Sequence, residues 1–159
     1  KIKEISDATV NSEHPRLLYF HWTRYMNEDS LAKFLAYEGS NELETPESQF
    51  ELATYYAKRD PQKTIGVLFH ALELHKDGNL INPEIFKSLS SIFTDKEKYK
   101  QGYIWLKVLN LYAPEDENIT STTLSEYATF YKLDAQFLDK AAALTLEKIE
   151  NGTFTAPTY

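Results

Sequence analysis

Apolar residues in this chain recur at spacings of three and four, not at two, and the pattern itself comes round again after about 37 residues. A 3.6-residue period lays one apolar stripe along a helix, whereas a half-buried strand needs alternation. Phe50, Ala53, Tyr56 and Ala57 form one such stripe; Ile65, Leu68, Phe69 and Leu72 form a second; Ile104, Trp105, Val108, Leu109 and Tyr112 form a third. Shifting the chain by 37 residues superposes Pro46-Glu47 on Pro83-Glu84, Leu52 on Leu89, Leu68 on Trp105, Ala71 on Val108 and Leu72 on Leu109, without a gap. A further shift of 38 brings Leu52-Ala53-Thr54-Tyr55-Tyr56 onto Tyr127-Ala128-Thr129-Phe130-Tyr131, and the third copy continues through Ala143 and Leu146. A single helical hairpin buries one face only, so hairpins that recur in this way must stack.

Proline and glycine divide the stripes into helices. Pro15, Pro46, Pro61 and Pro83 each follow a residue placed to precede a helix, and proline suits the first helical position because its missing N–H would be unpaired there anyway. Thr45, Asp60 and Asn82 can cap the free amides, whereas His14 is a poor cap. Thr123 with Glu126 has the spacing of a capping box, and Asp134 can open the last helix. Gly39, Gly78 and Gly152 follow periodic stretches, where a left-handed residue ends a helix. The spacing predicts helices near 2–9, 15–26, 30–38, 46–58, 61–76, 83–93, 97–112, 122–132 and 135–150. The expected fold is all-α: one domain over 1–159, with hairpin units about 15–38, 46–76, 83–112 and 122–150 and a non-helical tail at 153–159. Thr64, Leu68 and Ala71, then Gln101, Trp105 and Val108, match the A-x3-F-x2-A spacing of tetratricopeptide second helices. That likeness implies antiparallel hairpins stacked as a short tetratricopeptide/Sel1-like right-handed superhelix. Gly66 and Gly102 suggest tight packing in the second helices.

Charge and composition narrow the partners. Seventeen basic and 24 acidic residues give a net charge of −7, which argues against nucleic acid or anionic lipid as the main partner. The absence of cysteine excludes disulfides, thiol catalysis and thiolate metal sites in these 159 residues. No apolar run approaches the ~20 residues of a membrane span. Opening at Lys1 rather than Met is expected of a processed or shortened product, with any anchor upstream.

Residues suited to catalysis do not assemble at useful spacings. His70 and His75 are five apart, about 140° around a helix, whereas a shared metal needs four. His14 and His21 have no carboxylate at useful spacing, and the Asp116-Glu117 and Glu28-Asp29 pairs fall in polar turns, where nothing raises the pKa of a general acid. No nucleophile elbow, zinc-protease, P-loop or dinucleotide fingerprint occurs. The chain is therefore expected not to be an enzyme and to need no cofactor or metal. Most of its aromatic residues, among them Tyr55, Tyr56, Phe69, Phe93, Trp105, Phe130 and Tyr131, sit at repeat positions and are expected to fill the wedge between hairpins. His21, Trp22 and Tyr25 belong to a helix that is aromatic on more than one face, so they are candidates for contact with a partner or for an aromatic pocket.

Aligning the first helices with tetratricopeptide groove positions selects Glu47, Phe50, Thr54 and Ala57, then Glu84, Lys87, Ser91 and Thr94, then Thr122, Ser125, Thr129 and Lys132. Thr54, Lys87, Ser91, Thr129 and Lys132 are the binding candidates among these. Two lysines without Arg or Asn suit a terminal carboxylate poorly, so the groove is expected to take an extended neutral segment or to be plugged by the tail.

The run Glu47-Ser48-Gln49-Phe50-Glu51-Leu52-Ala53-Thr54-Tyr55-Tyr56, with Lys58-Arg59-Asp60 after it, resembles an uncharacterised family of gammaproteobacterial predicted lipoproteins, a domain of unknown function. Leu72-Glu73-Leu74, Ile85-Phe86-Lys87-Ser88-Leu89 and Gly102-Tyr103-Ile104-Trp105 carry the resemblance onward, over about Leu17 to Gly152. It implies a tetratricopeptide- or Sel1-like helical protein on the periplasmic side of a bacterial membrane, lipid-anchored through a segment upstream. It supplies no mechanism and no functional residues. The leading expectation is a non-enzymatic scaffold, monomeric or weakly dimeric, that binds another envelope protein or peptide segment. The alternative is a small-ligand or glycan-binding protein with an aromatic pocket near Trp22 and Tyr25.

Overall fold

A computed structural model describes residues 28–157 except residue 77, and among these the only regular structure is helical. Seven α-helices follow in order: α1 (Glu28–Ala36), α2 (Pro46–Tyr56), α3 (Pro61–Glu73), α4 (Glu84–Asp95), α5 (Tyr99–Tyr112), α6 (Ser121–Phe130) and α7 (Ala135–Glu150), with a 3-10 turn at Asn41–Leu43. The expected helices at 2–9 and 15–26 lie outside the described residues.

Local chemistry accounts for most of the helix starts. Thr45 accepts from the Ser48 amide and Asp60 from the Lys63 amide, each with proline at the first turn. Asp134 caps α7 through the Phe137 amide. Asn82 accepts from the Glu84 amide at 3.0 Å, but α4 begins one residue later than expected, with Pro83 rather than Asn82 at its N-cap. The capping box of α6 is not the expected Thr123–Glu126 pair. Thr120 and Thr123 exchange these bonds, because the Thr123 hydroxyl reaches back to the Thr120 amide and starts the helix at Ser121, one residue earlier than expected. Gly39, Gly78 and Gly152 all adopt positive φ, as their positions after helical stretches predict.

Two hairpins, α2/α3 and α4/α5, pack closely and carry the main core. Residues that superpose under the 37-residue shift are buried in both: Leu52 and Leu89, Leu68 and Trp105, Ala71 and Val108, Leu72 and Leu109. Burying each large apolar side chain removes it from water, worth roughly 1.5–3 kcal/mol. The third unit departs from this pattern. α7 lies along α5 and scarcely touches α6, and its buried stripe is Leu138, Ala142, Leu146 and Ile149. The expected register put Ala143 inward; Ala143 is exposed, because docking against α5 rotates Ala142 into the core instead. α6 is held mainly by Leu124 and Ala128 around the ring of Tyr103. Phe130, expected inside, is 76% exposed, because α7 lies along α5 instead of packing over α6.

Gly102 meets its expectation: a Cβ there would collide with the Tyr127 hydroxyl and Thr94 Oγ1. Gly66 does not, for no described atom lies within 4 Å of where its Cβ would sit. The tail also departs from expectation. It does not plug the first-helix face; it crosses the second helices, with the Phe154 ring 6.1 Å from Phe69 and 6.2 Å from Trp105. Apolar burial decides this course, because Phe154 closes the aromatic cluster between α3 and α5.

Candidate functional site

The repeat places Thr54, Ser91 and Thr129 on successive first helices, and all three side chains are exposed. Thr54 donates to the Phe50 carbonyl at 3.0 Å, which satisfies its hydroxyl within α2. It borders a small cavity of about 160 Å³ together with Phe50, Ala57 and Ser88, between α2, α3 and α4. Thr129 borders a second, shallow depression with Ser125, Glu126 and Phe130. The two depressions are separate.

Of the two lysines of the expected groove, Lys87 is paired and Lys132 is exposed. Lys87 Nζ lies 3.3 Å from Glu84 Oε1 and 3.5 Å from Asp116 Oδ2, so it ties α4 to the loop before α6. The Asn118 amide first, and Lys87 second, hold the Asp116 carboxyl below the ordinary carboxylate range. Lys132 lies beyond α6 in a left-handed turn at φ 57, so it serves to end that helix. His21, Trp22 and Tyr25, and with them the expected aromatic pocket, lie outside the described residues.

Two arrangements escaped the sequence reading. The first is a shallow cleft of about 330 Å³ between the 38–44 segment and α3, floored by Leu52, Gly66 and Val67. Ion pairs close both of its ends. Lys63 Nζ sits 2.7 Å from Glu38 Oε2 and 4.5 Å from the Tyr56 ring, whose hydroxyl donates to the other Glu38 oxygen. Seven residues on, His70 Nε2 is 2.7 Å from Glu44 Oε2 and Nδ1 is 3.2 Å from Glu73 Oε1. Burial pulls the His70 pKa down, but the hydrogen bonds and charges of Glu44 and Glu73 outweigh it and leave it above the ordinary value. Glu73 Oε2 in turn accepts the Ala156 amide of the tail at 2.9 Å. The i,i+3 spacing of His70 and Glu73 was visible in the sequence; Glu44, 26 residues earlier, was not.

The second arrangement is a crevice of about 190 Å³ beside the α3–α4 loop, where the side chains of Glu51 and His75 are buried and Leu80 stands 92% exposed at the mouth. Its volume is below the ~300 Å³ of ordinary small-ligand sites. Both buried polar side chains are engaged by other groups of the chain. Among the described residues no group of three or more His, Asp or Glu is arranged to hold a metal ion. No helix among them is long and apolar enough to cross a membrane.

The family described as "Protein of unknown function (DUF2989)" matches residues 1–107, the span that includes both close hairpins as far as the middle of α5. The chain belongs to the DUF2989 family. No curated protein matches it, and no solved structure does. Within the matched span of this DUF2989 chain lie the His70 cluster and the Thr54 cavity; α6, α7 and the tail lie beyond it.

Proposed function

We propose that this chain is a non-enzymatic scaffold whose hairpins stack as a short right-handed superhelix of the tetratricopeptide/Sel1 kind. In this reading its first-helix face holds an extended, largely neutral segment of another envelope protein. The observation that carries the reading is the contrast between the two sides of the repeat. Superposable second-helix positions are buried in pairs, while the superposable first-helix positions Thr54, Ser91 and Thr129 stay exposed, small and hydroxylated. Packing does not need hydroxyls there, and small side chains let a partner backbone approach and exchange hydrogen bonds.

Lys87 is already paired with Glu84 and Asp116, which suits this face to a neutral segment better than to a terminal carboxylate. The resemblance to predicted lipoproteins supports a periplasmic location, with membrane attachment through a lipid anchor upstream of this chain, and a monomer or weak dimer as the working form.

A photo-crosslinking amino acid at Ser91 or Thr129, compared with one at Glu147 on α7, tests the reading in cells that carry the protein. The expected result is one shared crosslinked species from positions 91 and 129, released with the periplasmic and membrane fractions, and none from position 147. No product from either first-helix position, or equal labelling from all three, would overturn it.

A further inference from the structure

We propose that His70 is a proton-operated latch: as a cation it ties the 38–44 segment and the C-terminal tail to α3 together, and on losing its proton it releases the tail. The inference stands on geometry and is independent of what the first-helix face binds. Both ring nitrogens face carboxylate oxygens, Nε2 at 2.7 Å from Glu44 and Nδ1 at 3.2 Å from Glu73. An imidazolium has two N–H groups and can serve both, whereas a neutral imidazole has one and must turn a lone pair toward the other carboxylate. The shorter contact, to Glu44, retains the proton. Glu73 then faces a lone pair and turns into the solvent that already reaches it.

Glu73 is also what the tail holds. Its second carboxylate oxygen accepts the Ala156 amide at 2.9 Å, so one side chain links the histidine to a segment 83 residues farther along the chain. Nearer α7 the tail has the Thr153 amide on the Lys148 carbonyl at 2.9 Å and the buried ring of Phe154. Deprotonation therefore loosens residues 155–157 and leaves the Thr153 amide and the Phe154 ring as the remaining anchors.

Among the described residues the surroundings of the ring are otherwise quiet. Glu44 from the 3-10 turn and Glu73 from α3 itself are the charges that act on it. Lys63 and Glu38 share the cleft but pair with each other, and α2 brings only Gln49 and Leu52 to it. Among the described residues the tail brings the Ala156 amide, through Glu73.

Amide NMR of the whole chain between pH 5 and pH 9, with the His70 ring observed in parallel, tests the latch. The expected result is that the Ala156 amide loses its hydrogen-bonded shift, and its heteronuclear NOE falls, with the midpoint of the His70 ring. His70→Gln, with no proton to lose, should show a loose tail and no transition. If that variant folds poorly, Glu73→Gln keeps an acceptor for Ala156 but loses the charge, and should remove the pH transition at Ala156. An Ala156 signal that stays constant while His70 titrates overturns the proposal, as does a tail transition that persists in either variant.

Discussion

Gly66 and Gly102 occupy interior positions of α3 and α5, and the same change to alanine has opposite consequences for them. At Gly102 a methyl group meets the Tyr127 hydroxyl and Thr94 Oγ1, which are themselves hydrogen-bonded at 2.7 Å. Gly102→Ala must therefore separate α4, α5 and α6, and should lower stability by about 1–3 kcal/mol in urea unfolding. At Gly66 the space is open and the backbone is helical, so Gly66→Ala should raise stability by about 0.5–1 kcal/mol through the lost freedom of the unfolded chain. An unchanged midpoint for Gly102→Ala would mean that Tyr127 can move aside at no cost. Composition and spacing presented these two glycines alike. What separates them is Tyr127, on a different helix, and no local pattern reveals that.

α6 is the helix with the thinnest attachment. Leu124 and Ala128 are its buried residues, and α7 passes it by to lie along α5. Its beginning depends on the reciprocal Thr120–Thr123 hydrogen bonds. Thr120→Ala should cost about 1 kcal/mol. Amide exchange should show α6 opening faster than α2–α5, and faster again in that variant. Helix starts such as Thr45, Asp60 and Asp134 were legible in the sequence because a cap is made within four residues. Helix ends were less so: α2, α3 and α6 stop two or three residues short of the apolar pattern, where tertiary packing decides. The same limit applied to the candidate groove. Its positions followed from the period, but the capture of Lys87 by Asp116 depends on a loop 29 residues later. The slipped register of α7 follows from its choice of neighbour, which periodicity alone does not encode.

The whole chain should carry the signature of His70 in its stability. The folded-state pKa of this group lies above its ordinary value of 6.5, so its contribution is complete below that value and is lost as pH rises through the folded pKa. Urea midpoints should therefore fall on going from mildly acidic to mildly alkaline solution, and His70→Gln should flatten that part of the profile. A wild-type profile that rises over the same interval would contradict the sign. Phe154→Ala should cost about 3 kcal/mol, since its ring fills the space beside Phe69 and Trp105. Trp105 emission should report the opening as a red shift in a Trp22→Phe background. The position of that ring also bears on synthesis. Hairpins made of near neighbours can assemble as they emerge from the ribosome, but the aromatic cluster of α3 and α5 stays open until residue 154 has been made and has left the exit tunnel. Until then the nascent chain displays Phe69 and Trp105 to whatever chaperone or translocation machinery attends it.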